Sequence, residues 1–267
     1  MLRLQNINKY FARNTPDERR ALKNLTFTVE DGDFITIVGS NGAGKTTLLN
    51  IVSGSYLPDT GRVILAGKDV TQLPAYRRAK YMGRVFQNTF QGTASSLTLE
   101  ENFAIAFRKG KPRGLRLAIN DPMRQKFREK LTEVGLGLEE RLRDRVGLLS
   151  GGQRQAVALL MATIGDPKLL LLDEHTANLD PKTAKKILEL SETLIREEQL
   201  TALMITHDLE DALNFGNRTL MMDEGEIVLD ISGEERKRLT IAELLDRFSE
   251  RRHKKFATDR VLLSSDR

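Results

Sequence analysis

The chain has 267 residues, 40% apolar and 30% charged, which suits one large globular domain or one domain carrying an insertion. It contains no cysteine, which excludes disulfides and thiol chemistry, and its net charge of +5 is spread along the chain with local excess at Arg108–Arg116 and Arg251–Lys255. That pattern reads as a solvated surface or a patch facing anionic headgroups, with no nucleic-acid partner expected. The start, Met1-Leu2-Arg3-Leu4-Gln5-Asn6, lacks the apolar core of a signal peptide, and the longest apolar run, Ala156 to Ile164, is about half of a membrane span.

In chain order, residues 3–10 and 22–29 read as strands separated by the polar loop Arg13-Asn14-Thr15-Pro16-Asp17. Tyr10 ends the first strand, either to stack on a flat base such as adenine or to close the core. After the turn Asp31-Gly32-Asp33 comes the apolar run Phe34–Val38, then Gly39-Ser40-Asn41-Gly42-Ala43-Gly44-Lys45-Thr46-Thr47, then the helical run Leu48–Val52. The pattern is a strand, a glycine-rich loop with G-x-x-x-x-G-K-T spacing, and a helix. Its glycines turn backbone N–H groups toward a polyphosphate, and the helix adds its positive end. Lys45 can reach the β- and γ-phosphates, and the Thr46 hydroxyl can coordinate Mg²⁺. A short strand follows at 61–67, and Arg84-Val85-Phe86 leads to Gln87.

From Gln87 to Leu148 the pattern turns helical. Thr98-Leu99-Glu100-Glu101 is a capping box, followed by Phe103 and Ala106 at helical spacing. Phe127, Leu131 and Val134 mark a second helix, with Lys109–Gly114 as a loop between the two. This reads as a helical insertion in an α/β domain. A helix over Gln153–Gly165 precedes the buried strand Leu169–Leu172, and a helix over 182–198 precedes a buried strand over 202–206. The alternation argues for a largely parallel sheet with helices on both sides. Leu220–Met222 and Ile227–Leu229 flank Asp223-Glu224-Gly225 as a hairpin. A last helix opens with the capping box Thr240-Ile241-Ala242-Glu243 and is expected to bury Ile241, Leu244, Leu245 and Phe248, with a mobile charged tail beyond it.

Two further constellations narrow the chemistry. Asp173 and Glu174 end the most apolar strand, where a carboxylate faces the ligand crevice of a parallel sheet. Asp173 there can hold Mg²⁺ through water, and Glu174 can orient or deprotonate an attacking water. Leu149-Ser150-Gly151-Gly152-Gln153 is a second glycine-containing turn that opens a helix and offers another phosphate cradle. A head-to-tail dimer has a use for two cradles about a hundred residues apart, because each can cover the nucleotide held by the partner.

Gly39–Thr46, Gln87, Leu149–Gln153, Leu169–Glu174, Asp180 and His207 stand in the order and spacing of the ATP-binding subunits of ABC transporters, which the chain resembles from residue 1 to about 248. The resemblance implies a P-loop NTPase (RecA-like) α/β core with a mainly parallel sheet, an N-terminal antiparallel β region and an α-helical subdomain inserted at about 88–153, followed by a tail at 249–267. It implies ATP and Mg²⁺ as ligands. Tyr10 becomes the adenine-stacking aromatic, and Gly39, Ser40, Asn41, Gly42, Ala43, Gly44, Lys45, Thr46 and Thr47 bind phosphate. Gln87 senses Mg²⁺ and the γ-phosphate, Glu174 is the base and His207 contacts the γ-phosphate. Ser150, Gly151, Gly152 and Gln153 serve the opposite subunit's nucleotide, and Asp180 links the two sites.

The implied partners are a second copy or a homologous ATPase subunit, a membrane permease received by the region 88–102, and an extracytoplasmic substrate-binding protein. The implied place is the cytoplasmic face of the cell membrane. A narrower resemblance, carried by Gly151–Gln155, Leu159–Thr163 and Asp173–Thr176, is to bacterial importer ATPases assigned to amino-acid-type or phosphonate substrates. An export or extraction complex, or a soluble assembly complex of the iron–sulfur type, carries the same motifs. One departure stands out: the residue after the base, usually proline in this superfamily, is His175, expected to be a neutral local substitution.

Overall fold

A computed structural model describes residues 1–110 and 119–251. Most of the Lys109–Gly114 loop and the charged tail from residue 252 on lie outside those residues. The N-terminal strands β1 (Leu2–Phe11) and β2 (Arg19–Val29) pair antiparallel, and β1 also pairs with β4 (Thr60–Leu65), which pairs with the short β5 (Lys68–Asp69). The second sheet has the order β10-β9-β3-β8-β7-β6. Its members are β3 (Phe34–Gly39), β6 (Met82–Val85), β7 (Leu169–Asp173), β8 (Thr201–Ile205), β9 (Arg218–Asp223) and β10 (Glu226–Ser232). All its neighbours run parallel except the β9–β10 hairpin.

Helix α1 (Lys45–Ser53) follows β3, and a single turn, α2 (Ala75–Arg78), lies between β5 and β6. Helices α3 (Leu99–Phe107), α4 (Asp121–Val134) and α5 (Gly151–Thr163) then separate β6 from β7. Helix α6 (Pro181–Glu197) joins β7 to β8. The expected capping box of α3 forms, with Thr98 Oγ1 accepting from Glu101 N–H and Glu101 Oε2 accepting from Thr98 N–H. The short helices α7 (Leu209–Asn214) and α8 (Gly233–Arg238) have too few turns to leave a periodic signal in the sequence.

Period-2 alternation in the parallel strands divides the core into two layers. Leu169, Leu171, Leu203 and Ile205 face α1 and the antiparallel strands, packing with Leu48, Leu49, Leu4 and Leu22. Leu170, Leu172, Ala202 and Met204 face the other way, onto Phe103, Phe127, Leu160 and Leu194 of α3 to α6. The helical stretch therefore shares one continuous core with the sheet. The carboxyl-terminal end of α1 is held by Arg78, fully buried, whose guanidinium donates to the carbonyls of Ile51, Val52, Thr71 and Leu73. Burial pushes its pKa down to about 10, so it remains a cation at neutral pH and complements the helix's negative end.

A last helix, α9, spans 241–251, and its capping box forms. Of the four apolar residues expected to be buried there, Leu244 is buried and Phe248 packs against the same cluster, but Ile241 and Leu245 are 38% and 43% exposed. Leu244 and Phe248 share one stripe of the helix, which meets Val38, Met221 and Ile231. Ile241 and Leu245 lie on the neighbouring stripe, beyond the width of that contact.

The shared core gives a direct check. Leu171, fully buried on β7, when replaced in Leu171→Ala should lower stability by about 2–5 kcal/mol. The change should appear as a lower urea midpoint at unchanged slope, and an unmoved midpoint would contradict the layer assignment.

Candidate nucleotide-binding site

The site grows from the end of β3. Gly39 has φ +148, and a Cβ there would sit 2.1 Å from the Met222 carbonyl oxygen of β9. Gly44, the residue before α1, has φ +99, and a Cβ there would meet the Ala21 carbonyl at 2.5 Å. Only glycine tolerates both the conformation and the approach. The loop between them is clamped by Gly225 N–H on the Ala43 carbonyl (3.0 Å), the Ser40 hydroxyl on Asp223 Oδ1 (3.1 Å) and the Arg19 guanidinium on the Gly42 carbonyl (2.7 Å). Lys45 folds across the loop, its Nζ donating to the carbonyls of Gly39 (2.7 Å) and Ser40 (3.1 Å). Burial draws its pKa below the usual lysine value, opposed in part by Glu174 and then Asp173.

The sheet order brings the dispersed motifs into line. The phosphate loop follows β3, His207 follows β8, Asp173 and Glu174 end β7, and Gln87 follows β6, on successive parallel neighbours. All four lie beyond the carboxyl ends of the strands, where open α/β sheets bind ligands. Asp173 is buried. Its Oδ1 accepts a long contact from the Thr46 hydroxyl at 3.4 Å, and its Oδ2 accepts from the Arg84 guanidinium at 2.9 Å. Glu174 has φ +45, a left-handed conformation that costs a non-glycine residue of order 1 kcal/mol, and its N–H donates to the Ile205 carbonyl.

A cavity of about 260 Å³ is lined by Asn41–Thr47, Glu174, Phe11, Arg19 and Ala21. Tyr10, expected as the adenine-stacking aromatic, is not among its residues. Adjacent strand residues point to opposite faces, and Tyr10 instead has the guanidinium carbons of Arg13 and Arg20 each 5.5 Å from its ring. Phe11 is the aromatic at the cavity, with its ring edge-on to Tyr56 at 5.4 Å. The register of β1 against β2 shifts on both sides of Lys9, so counting alternation from Leu2 and Leu4 does not tell which aromatic faces the site. Gln87 and His207 are exposed and do not line this cavity; the Gln87 carbonyl accepts from Asn178 Nδ2 at 3.4 Å.

The second cradle lies elsewhere. Ser150 caps α5 reciprocally with Gln153: the Ser150 hydroxyl accepts from Gln153 N–H at 3.3 Å, and Gln153 Oε1 accepts from Ser150 N–H at 3.2 Å. Residues Ser150–Gln153 line a separate cavity of about 600 Å³ with Asn178, Leu179, Asp180 and Thr183. Asp180 caps α6, and its hydrogen bonds from the Thr183 side chain and backbone hold its carboxyl below the usual range. The two cavities share no residue.

Over residues 22–177 the chain matches the family described as ABC transporter. The chain belongs to that family. It is 41% identical to a tyrosine transport ATP-binding protein of Clostridioides difficile, over 93% of this chain and 98% of that protein. It is 35% identical to a spermidine/putrescine import ATP-binding protein, PotA, of Mesoplasma florum, over 85% of this chain and 60% of that protein. Among solved structures it is similar to the dimeric ATP-binding cassette MJ0796 in a post-hydrolysis state with ADP and Pi, at TM-score 0.74 and 29% identity, covering 87% of this chain and 98% of the cassette. The chain is an ABC ATPase with a P-loop NTPase fold, and such ATPases bind ATP.

In this ABC ATPase, His175 points away from the site chemistry. It is 2% exposed, with Nε2 2.9 Å from the Ser191 hydroxyl. That hydroxyl donates its single proton to the Ile187 carbonyl at 2.7 Å, so Nε2 carries the histidine proton. Burial pulls the His175 pKa down to about 4, so it is neutral at physiological pH. The unfolded chain takes up this proton near pH 6.5, before the folded one does, so stability is full above that pH and falls as the pH drops toward 4. The loss is at most about 1.4 kcal/mol per pH unit. In His175→Gln the difference between urea midpoints at pH 7.5 and pH 5 should shrink; an identical difference would remove His175 as its source.

Proposed function

We propose that the chain is the ATPase subunit of a bacterial importer, acting as a head-to-tail dimer that closes on two ATP molecules and reopens on hydrolysis. The observation that carries this is the separation of the two phosphate cradles into cavities with no residue in common. Each phosphate loop needs a partner's Ser150-Gly151-Gly152 to complete its site, and the dimeric cassette relative supports that arrangement. Asp180, beside the second cavity, would connect the two sites.

The donor set suits Mg²⁺. Among the described residues no three or more His, Cys, Asp or Glu side chains gather into a metal cage. The Thr46 hydroxyl and the Asp173 carboxylate are hard oxygen donors close to the phosphate loop, and Mg²⁺ takes one or two such ligands, several waters and the substrate's phosphates. Bound there, the metal would neutralise charge on the β- and γ-phosphates. The protein's own work is positioning. Lys45 and the loop N–H groups hold the phosphates, Phe11 takes the adenine face first expected of Tyr10, and Glu174 orients and deprotonates water. Gln87 and His207, on the strands either side of Glu174, would approach the γ-phosphate when the dimer closes.

No helix among the described residues is long and apolar enough to cross a membrane. In the proposed importer, translocation would run through a separate permease. The stretch 88–102 would receive it. Phe90 there is 57% exposed and lies 4.1 Å from the guanidinium carbon of Arg154, which donates to the Leu149 carbonyl just before Ser150. A permease pressing on Phe90 would thus touch the second cradle. Such a subunit works at the cytoplasmic face of the membrane, and an extracytoplasmic binding protein would deliver the cargo. The tyrosine transport relative supports an amino-acid-type substrate.

Glu174→Gln should keep ATP affinity, lose at least about a hundredfold in turnover, and accumulate as an ATP-bound dimer on size exclusion. Hydrolysis at the parent rate would remove Glu174 as the base. Affinity purification from detergent-solubilised membranes should bring down a permease; recovery of soluble partners alone would overturn the transporter reading.

A further inference from the structure

Arg84 belongs to none of the motifs above, yet it is among the most constrained side chains near the site. It lies on β6 opposite Leu171 of β7, so its side chain shares a face with Asp173, two residues further along. The pair is almost closed to solvent, with side chains 12% and 9% exposed. Arg84 Nη2 donates to Asp173 Oδ2 at 2.9 Å, while Nη1 donates to Asn50 Oδ1 at 2.8 Å and Ser53 Oγ at 3.1 Å. Asn50 and Ser53 lie one turn apart on α1, the helix that begins with Lys45 and Thr46. The guanidinium carbon lies 4.5 Å from the Phe86 ring, immediately before Gln87.

We propose that Arg84 is a positioning residue that sets the Asp173 carboxylate for the metal. It pins Oδ2 and leaves Oδ1, beside the Thr46 hydroxyl, as the oxygen turned toward Mg²⁺. The buried Nε has no partner, which is costly, so the guanidinium's placement follows Asp173, Asn50 and Ser53 at the expense of its own full satisfaction. A buried ion pair is by itself a weak source of net stability. This one joins three parts that must keep register: the helix carrying the phosphate loop, the carboxylate at the end of β7, and the start of the Gln87 segment. Lysine keeps the charge but cannot reach the carboxylate and α1 with one rigid fork.

The inference rests on Asp173 holding the metal, and the test separates the two. Binding of a fluorescent ATP analogue to the full chain is titrated with MgCl₂ and repeated in EDTA, with no turnover needed. Arg84→Gln should raise the Mg²⁺ concentration at half-saturation by roughly tenfold, as loss of a partner that orients a metal ligand does. Arg84→Lys should raise it less. In both variants affinity in EDTA should stay within about twofold of the parent, because the phosphate loop is untouched. A purely stabilising role would lower the melting temperature and leave the Mg²⁺ midpoint in place, and that result overturns the proposal. So does a midpoint that falls in Arg84→Gln while Arg84→Lys matches the parent, which would make Arg84 only a competing charge. If Arg84→Gln does not fold, an unmoved midpoint in Arg84→Lys overturns it equally. Asp173→Asn is the control: if it too leaves the midpoint unmoved, the metal reading of Asp173 has failed, and not the role of Arg84 alone.

Discussion

Gly39 lies so close to the Met222 carbonyl that no side chain fits between them, and that contact sets where the phosphate loop leaves the sheet. With β3 held between β8 and β9, the loop turns past Ala21 and into α1. The same placement aligns the carboxyl ends of β8, β7 and β6 beside it. A residue added at Gly39 or Gly44 would therefore disturb more than a local conformation. It would shift the origin from which Lys45, Thr46, Asp173 and Glu174 are all measured.

The electrostatics around this point follow from burial. Lys45 is almost closed to solvent, and its ammonium is offset by two loop carbonyls and by the carboxylates of Glu174 and Asp173. Asp173 is in turn held by Arg84, and Arg84 by α1, so the charges form a closed circuit through the helix that starts at the loop. His175, one residue beyond Glu174, stays out of that circuit because its ring is turned into the core against Ser191. A titratable residue beside a carboxylate in sequence is not beside it in space when the chain between them takes a left-handed step at Glu174.

Helices α3 to α6 bury their apolar faces on the same sheet that carries the site. Motion of the exposed stretch around Phe90 therefore has a short physical route to the second cradle, through the Phe90–Arg154 contact. The reciprocal cap between Ser150 and Gln153 keeps the cradle's first helical turn formed in the single chain. In the proposed dimer this turn would be formed in advance, and closure would only have to bring it into place.

Sequence alone determined the parts whose geometry is local. Spaced glycines, a lysine and a threonine specify a phosphate loop wherever a strand precedes and a helix follows. Four leucines in a row specify a strand covered on both sides, and the glycine-containing turn Leu149–Gln153 specifies a helix start. The order of elements was legible too, to within one or two residues at the ends of α5 and α6. Tertiary structure decided what depends on neighbours distant in the chain. Bulged pairing of β1 chose Phe11 over Tyr10 for the cavity, because each register shift resets which face a residue takes. The width of one contact left Ile241 and Leu245 outside. Parallel pairing of β6 with β7 brought Arg84 to Asp173 across 89 positions, a meeting that no local pattern encodes because register between strands is set by the whole sheet.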